Sequence, residues 1–209
     1  LLLILVILII RYAVMILYSF LEHIESLRRG EATYSESELN SLPMVTLVVP
    51  AYNEGLVIQP ALKSLLELDY PNYEIIVVDD GSTDDTYVKA MEVARLSHDV
   101  PVRVVTKPNA GKAQALNTGM SLARGELVLN MDGDAKLSPN TLRVCVRHFR
   151  DPRVGAVAGN VKVINRDNIW SRIQALEYIE GLAMARRAQS FTRTVNIIPG
   201  PLGMFRKSV

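Results

Sequence analysis

The apolar positions along the chain follow three different rhythms. Leu1 to Leu21 is a nearly unbroken run of Leu, Ile and Val with one charge, Arg11. Coiled as a helix at about 1.5 Å per residue, such a run reaches roughly 30 Å, the thickness of a bilayer's hydrocarbon core. A secretory signal peptide or a buried core helix is the alternative, but no basic segment precedes the run and no small-residue cleavage site follows it. Without an initiator Met, the chain is expected to begin part-way through a longer protein. Arg11 falls mid-span, where a charge is costly unless it snorkels or faces protein. His23, Arg28 and Arg29 come next, so the positive-inside tendency puts the downstream part in the cytoplasm, at the inner or plasma membrane of the cell. The second rhythm, Glu31 to Pro43, is polar and without period, which predicts a linker.

From Thr46 onward short apolar runs alternate with helical spacing. Thr46 to Val49 reads as a strand stopped by Pro50, and Leu56 to Leu68 as a helix through Leu62, Leu65 and Leu66. Glu74 to Val78 is a second strand, and Thr83 or Asp84 then caps a helix through Ala94. Val102 to Val105, a loop over Lys107 to Gly111, and a helix from Lys112 to Ala123 follow. Glu126 to Met131 is a fourth strand, Ser138-Pro139 opens a helix running to about Phe149, and Val154 to Val163 reads as further strand. Repeated strand–helix units with continuous apolar strands predict an α/β protein whose mostly parallel sheet is covered on both faces. The expected organisation is a transmembrane helix and flank over 1–27, a linker over 28–43 and a globular domain over 44–209.

Composition narrows the classes. The 209 residues carry 23 Lys+Arg against 22 Asp+Glu, and 49% are hydrophobic, so neither a disordered tail nor a nucleic-acid binder with a strong basic footprint is indicated. One cysteine, Cys145, excludes a disulfide scaffold and any multi-Cys metal site, and its apolar helix context predicts a buried, inert thiol. His23, His98 and His148 are too scattered to suggest a metal site. The last stretch, Arg166 to Val209, is basic, with seven Lys/Arg against three acids. Within it Ile169, Trp170, Ile173, Leu176, Ile179 and Ala183 recur at helical spacing, which fits either a helix packed on the sheet or an amphipathic helix at a membrane surface. Trp170 is expected as a packing anchor rather than a sugar platform.

In parallel α/β sheets ligands bind at the carboxyl ends of the strands, and the unusual polar clusters of this chain fall there. Asn53-Glu54 follows the first strand, Asp79-Asp80 the second and Asp132-Gly133-Asp134 the fourth. Two carboxylates around a glycine can be aimed at one point, where they repel unless a cation lies between them; hard divalent ions such as Mg²⁺ or Mn²⁺ suit them. A solvated turn is the plain alternative. Asp84 and Asp85 are explained as favourable acids at a helix start, but two adjacent anions at a strand tip are not. Asn109-Ala110-Gly111-Lys112 offers backbone N–H groups and an ammonium at a helix start, a suitable cradle for a diphosphate. No GxGxxG follows the first strand, which weighs against a dinucleotide-dependent dehydrogenase.

Four motifs in order, Val49-Pro50-Ala51-Tyr52-Asn53-Glu54, Val78-Asp79-Asp80-Gly81-Ser82-Thr83-Asp84, Asn109-Ala110-Gly111-Lys112-Ala113 and Asp132-Gly133-Asp134, resemble the processive family 2 glycosyltransferases. These are the membrane-embedded synthases of cellulose, chitin, hyaluronan and poly-N-acetylglucosamine, and the resemblance covers about 44–209. It implies a GT-A nucleotide-binding fold and inverting, metal-dependent transfer of a sugar from a UDP-sugar donor to a polysaccharide acceptor, beside membrane lipid. It further implies that Ala51, Tyr52, Glu54 and Asp80 contact the nucleoside with Asp79 in support, that Lys112 lies near the diphosphate, and that Asp132 and Asp134 bind Mg²⁺ or Mn²⁺ and the diphosphate. Pro199-Gly200-Pro201-Leu202-Gly203 resembles the family's small-residue loop at the acceptor site, which points to Gly200 and Pro201. The stretch from Gly159 to Arg206 leans toward synthases that use N-acetylglucosamine. The family's acidic general-base motif, its Gln-x-x-Arg-Trp signature and its later membrane helices have no counterpart here, so the domain is expected to be incomplete at its C-terminal end and no catalytic base is identifiable. Two other classes stay open: a non-catalytic nucleotide-binding remnant of such a synthase, and a receiver-type, Mg²⁺-binding signalling domain.

Overall fold

The computed structural model describes residues 1–30, 34, 35, 38, 41–164, 167–198 and 200–208. Seven residues of the expected linker, 31–33, 36, 37, 39 and 40, lie outside the described residues, as does Pro199 of the expected acceptor loop. The chain divides into two compact units, Leu1–Glu31 with Asn160–Ile198, and Ala32–Gly159 with Pro199–Val209.

The first unit is helical. α1 (Leu2–Arg29) is one unbroken helix of 28 residues; its stretch Leu2–Arg28 is long and apolar enough to cross a membrane, and its most apolar part is not buried inside the protein. Packed along it is α7 (Ala185–Phe191), which continues without a break from α6 (Ile169–Glu177) through a wider π-helical segment at Tyr178–Met184. Asn168 caps α6 by accepting from the Ser171 N–H while the Ser171 hydroxyl reaches back, a reciprocal box that fixes where the helix starts. Within this unit the Tyr12 hydroxyl donates to Glu180 over 2.9 Å, and the rings of Tyr18 and Phe191 meet at 5.5 Å. Ile169, Trp170, Ile173, Leu176 and Ile179 are exposed. Trp170, expected as a packing anchor, is 77% exposed and anchors no core.

The second unit carries the sheet: β1 (Val45–Ala51), β2 (Tyr73–Asp79), β3 (Val102–Thr106), β4 (Leu127–Met131), β5 (Ala156–Ala158) and β6 (Leu202–Arg206). Their spatial order is β3-β2-β1-β4-β6-β5, with β1 to β4 parallel and β6 antiparallel to both neighbours. The helices are α2 (Ile58–Leu66), α3 (Thr86–Leu96), α4 (Lys112–Leu122) and α5 (Thr141–Val146), the last continued by a 3₁₀ turn over Arg147–Arg150.

Side-chain alternation explains why the strands read as continuous apolar runs. Leu47, Val49, Ile75, Val77 and Leu129 face α2, α3 and α5 in the larger core, with Ile58, Leu62, Leu65 and Leu142. Val48 and Val128 point the other way toward Ala123, Leu116 and Met120, and Ile76 and Val78 toward Ala115. Each fully buried Leu or Ile of this kind contributes about 1.5–3 kcal/mol. Cys145 is buried in the larger core, where burial pushes its thiol up to about 11.

Several boundaries differ from the sequence expectation. β1 continues through Pro50, which pairs with Val78. β1 pairs with β4 only through Val48, so Pro50 sits where one flank has no ladder, a place that tolerates a missing N–H. The strand expected over Val154 to Val163 shrinks to Ala156–Ala158, the stretch in register with β6, with Gly155 and Gly159 each bonded to β6 just beyond it. Leu202 and Gly203, expected in a loop, belong to β6, which inserts between β4 and β5. Such a long-range pairing leaves no local signature.

The strand order also discriminates between classes. A receiver-type doubly wound sheet runs 2-1-3-4-5, whereas this one runs 3-2-1-4 before its antiparallel addition. That reading is set aside.

Candidate functional site

Register brings the carboxyl ends of the strands to one edge. Ala51 pairs with Asp79 and Asp79 with Thr106, while Asp80 N–H donates to Ala51 O and Lys107 N–H to Asp79 O. β4 ends at Met131, one residue before Asp132, and Met131 pairs with Leu202. The motif after β1, the acid pair after β2, the loop after β3 and the Asp-Gly-Asp turn after β4 therefore share this edge. Gly200 and Pro201 lie there too, just before β6, with Gly200 exposed and Pro201 half-buried.

The two acids at the tip of β2 are both 3% exposed, and each is held by hydrogen bonds. Asp79 accepts from the Thr106 hydroxyl at 2.8 Å and from Ser82 N–H at 3.3 Å. Asp80 accepts from Gly111 N–H at 2.7 Å, from Ala110 N–H at 3.1 Å and from the Lys107 ammonium. Burial works against the ionised Asp80, but the bonds from Lys107, Ala110 and Gly111 outweigh it and hold its pKa below the ordinary Asp value. Gly81 between these loops has φ +73°, and a Cβ there would lie 2.8 Å from Asn109 N, so the two loops can meet only over a glycine.

The loop after β1 is tied to the loop after β2. Asn53 adopts a left-handed φ of 53°; its N–H donates to the Ser82 hydroxyl at 3.0 Å and its side-chain oxygen accepts from Thr83 N–H at 2.9 Å. Glu54 N–H donates to the Thr86 hydroxyl at 2.8 Å and Gly55 N–H to Asp84 at 3.0 Å. Asp84 therefore links two loops as well as meeting Thr86 N–H at the start of α3. Asp84 at the helix start follows the sequence expectation, but its bond to Gly55 and the bonds of Asn53 have no local signature, because they cross some thirty positions of chain. Tyr52 stands at the rim, 49% exposed, and Ala51 lies beneath it, buried.

This scaffold delivers the Glu54 carboxylate onto the Asp-Gly-Asp turn, which closes by Ala135 N–H donating to Asp132 O at 3.1 Å. A Cβ at Gly133 would meet Glu54 Oε2 at 1.8 Å, so glycine here makes room for a carboxylate. Among the described residues Oε2 is buried and has no hydrogen-bond partner. Burial first, then the charges of Asp134 and Asp132, push the Glu54 pKa up to about 7, with Lys112 opposing them. Lys112, the first residue of α4, donates to Asp132 Oδ1 at 2.5 Å, while Asp134 is exposed.

No three His, Cys, Asp or Glu side chains among the described residues converge into a ready metal cage. A hard divalent cation needs no such cage: Mg²⁺ commonly takes one or two carboxylates and shares the rest with substrate phosphates and water. The oxygen donor set of Asp132 and Asp134, with an unpaired Glu54 oxygen beside them, fits an ion of that kind.

A largely parallel nucleotide-type sheet with an antiparallel strand beyond β4, an acid pair after β2 and an Asp-Gly-Asp turn after β4 define a domain of the GT-A class. Residues 46–209 match Glycosyl transferase family 2, and the chain belongs to that family. Poly-beta-1,6-N-acetyl-D-glucosamine synthase of Staphylococcus epidermidis is 34% identical over 174 residues, 83% of this chain and 42% of that protein. The synthase of the same name from Staphylococcus aureus (strain COL) is 32% identical over 81% of this chain and 41% of that protein. This chain thus spans less than half the length of the curated relatives it matches. Among solved structures, the mannosyltransferase PcManGT from Pyrobaculum calidifontis, in complex with GDP-Man and Mn²⁺, is 29% identical with a TM-score of 0.66, over 93% of this chain and 56% of that one. TarS 1-349 of S. aureus, in complex with UDP-GlcNAc, is 28% identical with a TM-score of 0.53, over 60% of this chain and 36% of that one.

Proposed function

We propose that this chain is the donor-binding part of a membrane-associated, inverting glycosyltransferase that passes N-acetylglucosamine from a UDP-sugar to a growing polysaccharide. One observation carries the reading: Glu54, Lys112 and Asp132, reached from the ends of three separate strands, lie in contact or within each other's field at one sheet edge, and Asp80 at the end of a fourth accepts from Gly111 N–H, next to Lys112. The names of the relatives supply the sugar and the polymer, and TarS with its bound UDP-GlcNAc lends support to the donor.

In this reading Ala51, Tyr52, Glu54, Asp79 and Asp80 line the nucleoside side, and Asp132 and Asp134 would hold Mg²⁺ or Mn²⁺ against the diphosphate. A divalent ion there offsets the negative charge that builds on the departing UDP. Lys112 adds a second cation on the same side, able to move from Asp132 to a phosphate oxygen. Gly200 and Pro201, beside the end of β4, would form the acceptor-side loop, where small side chains let a sugar approach the backbone. No general base is assigned among the described residues. The α1 helix would span the membrane, with the sheet domain on the cytoplasmic side and the exposed face of Ile169, Trp170, Ile173 and Leu176 against lipid.

Titrating UDP with Mn²⁺ against wild type and Asp132→Ala tests donor binding. Wild type is expected to bind in a metal-dependent way and the variant to lose at least ten-fold; equal binding would remove the metal-site assignment. Radiolabel incorporated from UDP-N-acetylglucosamine by the full-length parent protein tests transfer, and its absence would favour a remnant that binds without turnover.

A further inference from the structure

Asn130 interrupts the apolar run of β4, whose other residues are Leu127, Val128, Leu129 and Met131. Leu129 and Met131 point into the larger core and Val128 packs toward Leu116 and Met120 of α4. Alternation therefore turns Asn130 to the α4 face of the sheet, the same face as Asp132. The residue is half-buried, and among the described residues its Oδ1 is buried without a hydrogen-bond partner. An amide oxygen left in that state costs more than an apolar group of the same shape. Val48 and Asn130 form the last pair between β1 and β4; beyond it β1 runs on against β2 to Ala51, while β4 ends at Met131 against Leu202 of β6. The two strands part here, where the strand order reverses, and in such sheets the crevice beyond that point takes the ligand. Asp132 stands two residues farther along the same face, held by Lys112 Nζ at 2.5 Å. On its other flank Asn130 pairs with Gly203, which has no side chain to fill the space.

We propose that Asn130 is a specificity-determining residue at the floor of this crevice, whose carboxamide pairs with the acetamido group of an N-acetylated donor sugar. The inference rests on the proposed donor site and names the side chain that selects the sugar. A carboxamide carries an acceptor and a donor side by side, and an acetamido group offers the complementary set, an N–H and a carbonyl oxygen. Rotation about the last torsion of Asn130 brings its inward oxygen toward the crevice. Oδ1 then accepts from the sugar's N–H and Nδ2 donates to the sugar's carbonyl, which satisfies the atom that the fold leaves unpaired. The position suits a sugar and not a phosphate, because it bears no charge and lies behind Asp132 and Lys112, the groups on the metal and diphosphate side. A sugar with a hydroxyl in place of the acetamido group meets only one end of the amide, and a site built on hydrogen bonds discriminates against such an analogue.

The test titrates the whole chain, in the presence of Mn²⁺, with UDP, UDP-glucose and UDP-N-acetylglucosamine, for wild type, Asn130→Leu and Asn130→Ala. Leu keeps the volume of the side chain and Ala removes it, so a loss common to both comes from hydrogen bonds and not from a clash. Wild type is expected to prefer UDP-N-acetylglucosamine to UDP-glucose. Both variants are expected to bind UDP-N-acetylglucosamine about ten-fold more weakly, the size of two neutral hydrogen bonds, while UDP and UDP-glucose stay within about two-fold. The preference between the sugars then collapses. No preference in wild type, a loss in Asn130→Leu alone, an equal loss for all three nucleotides, or no loss at all would overturn the proposal. A ligand-free measurement stands apart from the donor reading: Asn130→Leu is expected to melt at or above the wild-type temperature, since an orphaned acceptor is removed. A melting point several degrees lower would mean that the amide is already satisfied inside the fold, and the assignment fails. Failure of wild type to bind UDP with Mn²⁺ at all would instead count against the donor site itself.

Discussion

Glu54 Oε2 occupies the space in which a side chain at residue 133 would begin, 1.8 Å from where a Cβ would stand. The glycine of the Asp-Gly-Asp turn is therefore a socket for the acid of the first motif. Gly133→Ala must push that carboxylate away, and the displaced group is the far end of a flexible side chain, so the fold can absorb it. The expected result is a small loss of stability, under about 1 kcal/mol by thermal melting, typical of a change the structure can relax around. Mn²⁺-dependent UDP binding is expected to fall at least ten-fold. A variant that binds as wild type does would separate Glu54 from the metal side.

The same carboxyl gives a pH dependence. The folded protein raises Glu54 from the ordinary 4.5 to about 7, through burial and the charges of Asp134 and Asp132. Between about pH 4.5 and 7 the folded state then binds a proton that the unfolded state has released, so stability falls as pH rises through this window and levels off above it. Chemical denaturation of the metal-free protein at a series of pH values should show that slope, and Glu54→Gln should flatten it. Added Mn²⁺ is expected to weaken the slope, because a nearby divalent cation favours the ionised carboxylate.

Lys112 offers a test that splits metal from diphosphate. Its ammonium already neutralises part of Asp132. Removing it by Lys112→Ala is expected to leave Mn²⁺ binding alone unchanged or tighter, while UDP binding in the presence of Mn²⁺ weakens about ten-fold or more, the size of a charge-assisted phosphate contact. Parallel calorimetric titrations of metal and of nucleotide would show only the nucleotide affinity weakening. Weakening of both would mean that Lys112 only holds the turn together.

Glu74 supplies a control at the far edge of the sheet. Buried to 1% exposure, it accepts from the Thr46 hydroxyl at 2.8 Å, from Arg124 N–H at 2.8 Å and from Arg103 at 3.2 Å. Glu74→Ala leaves the Thr46 hydroxyl and the Arg124 N–H without their acceptor, while Arg103 stays a third exposed and bonded to Leu122 O, so a loss of about 2–4 kcal/mol in denaturant unfolding is expected. Where the variant remains folded, UDP affinity should stay within about two-fold of wild type, since Glu74 lies at the opposite end of its strand from Asp79 and Asp80.

Different physical signals made parts of this molecule legible in sequence and hid others. Thr46 to Val49, Glu74 to Val78 and Glu126 to Met131 announced themselves because strands covered on both faces need apolar residues at every position. The helices over Leu62 and Leu65, and over Ala115, did so through one-sided spacing. α5 was expected from Ser138 and begins at Thr141, for Pro139 O accepts instead from Asp69 N–H, a partner distant in sequence. β6 was hidden altogether: Leu202 to Arg206 becomes strand by fitting between β4 and β5, and nothing within those five residues requires it.

The chain's own order of residues determined the alternating α/β class, the apolar helix at the front, the acids at the strand tips and the family signature, because each depends on short-range period or on side-chain type. Tertiary structure alone decided that Glu54 nests over Gly133, that Asp80 accepts from Gly111 N–H, and that Gly200 and Pro201 stand beside the end of β4. Those relations join residues tens of positions apart, and only the register of a parallel sheet, with loops folded over its edge, fixes which of them meet.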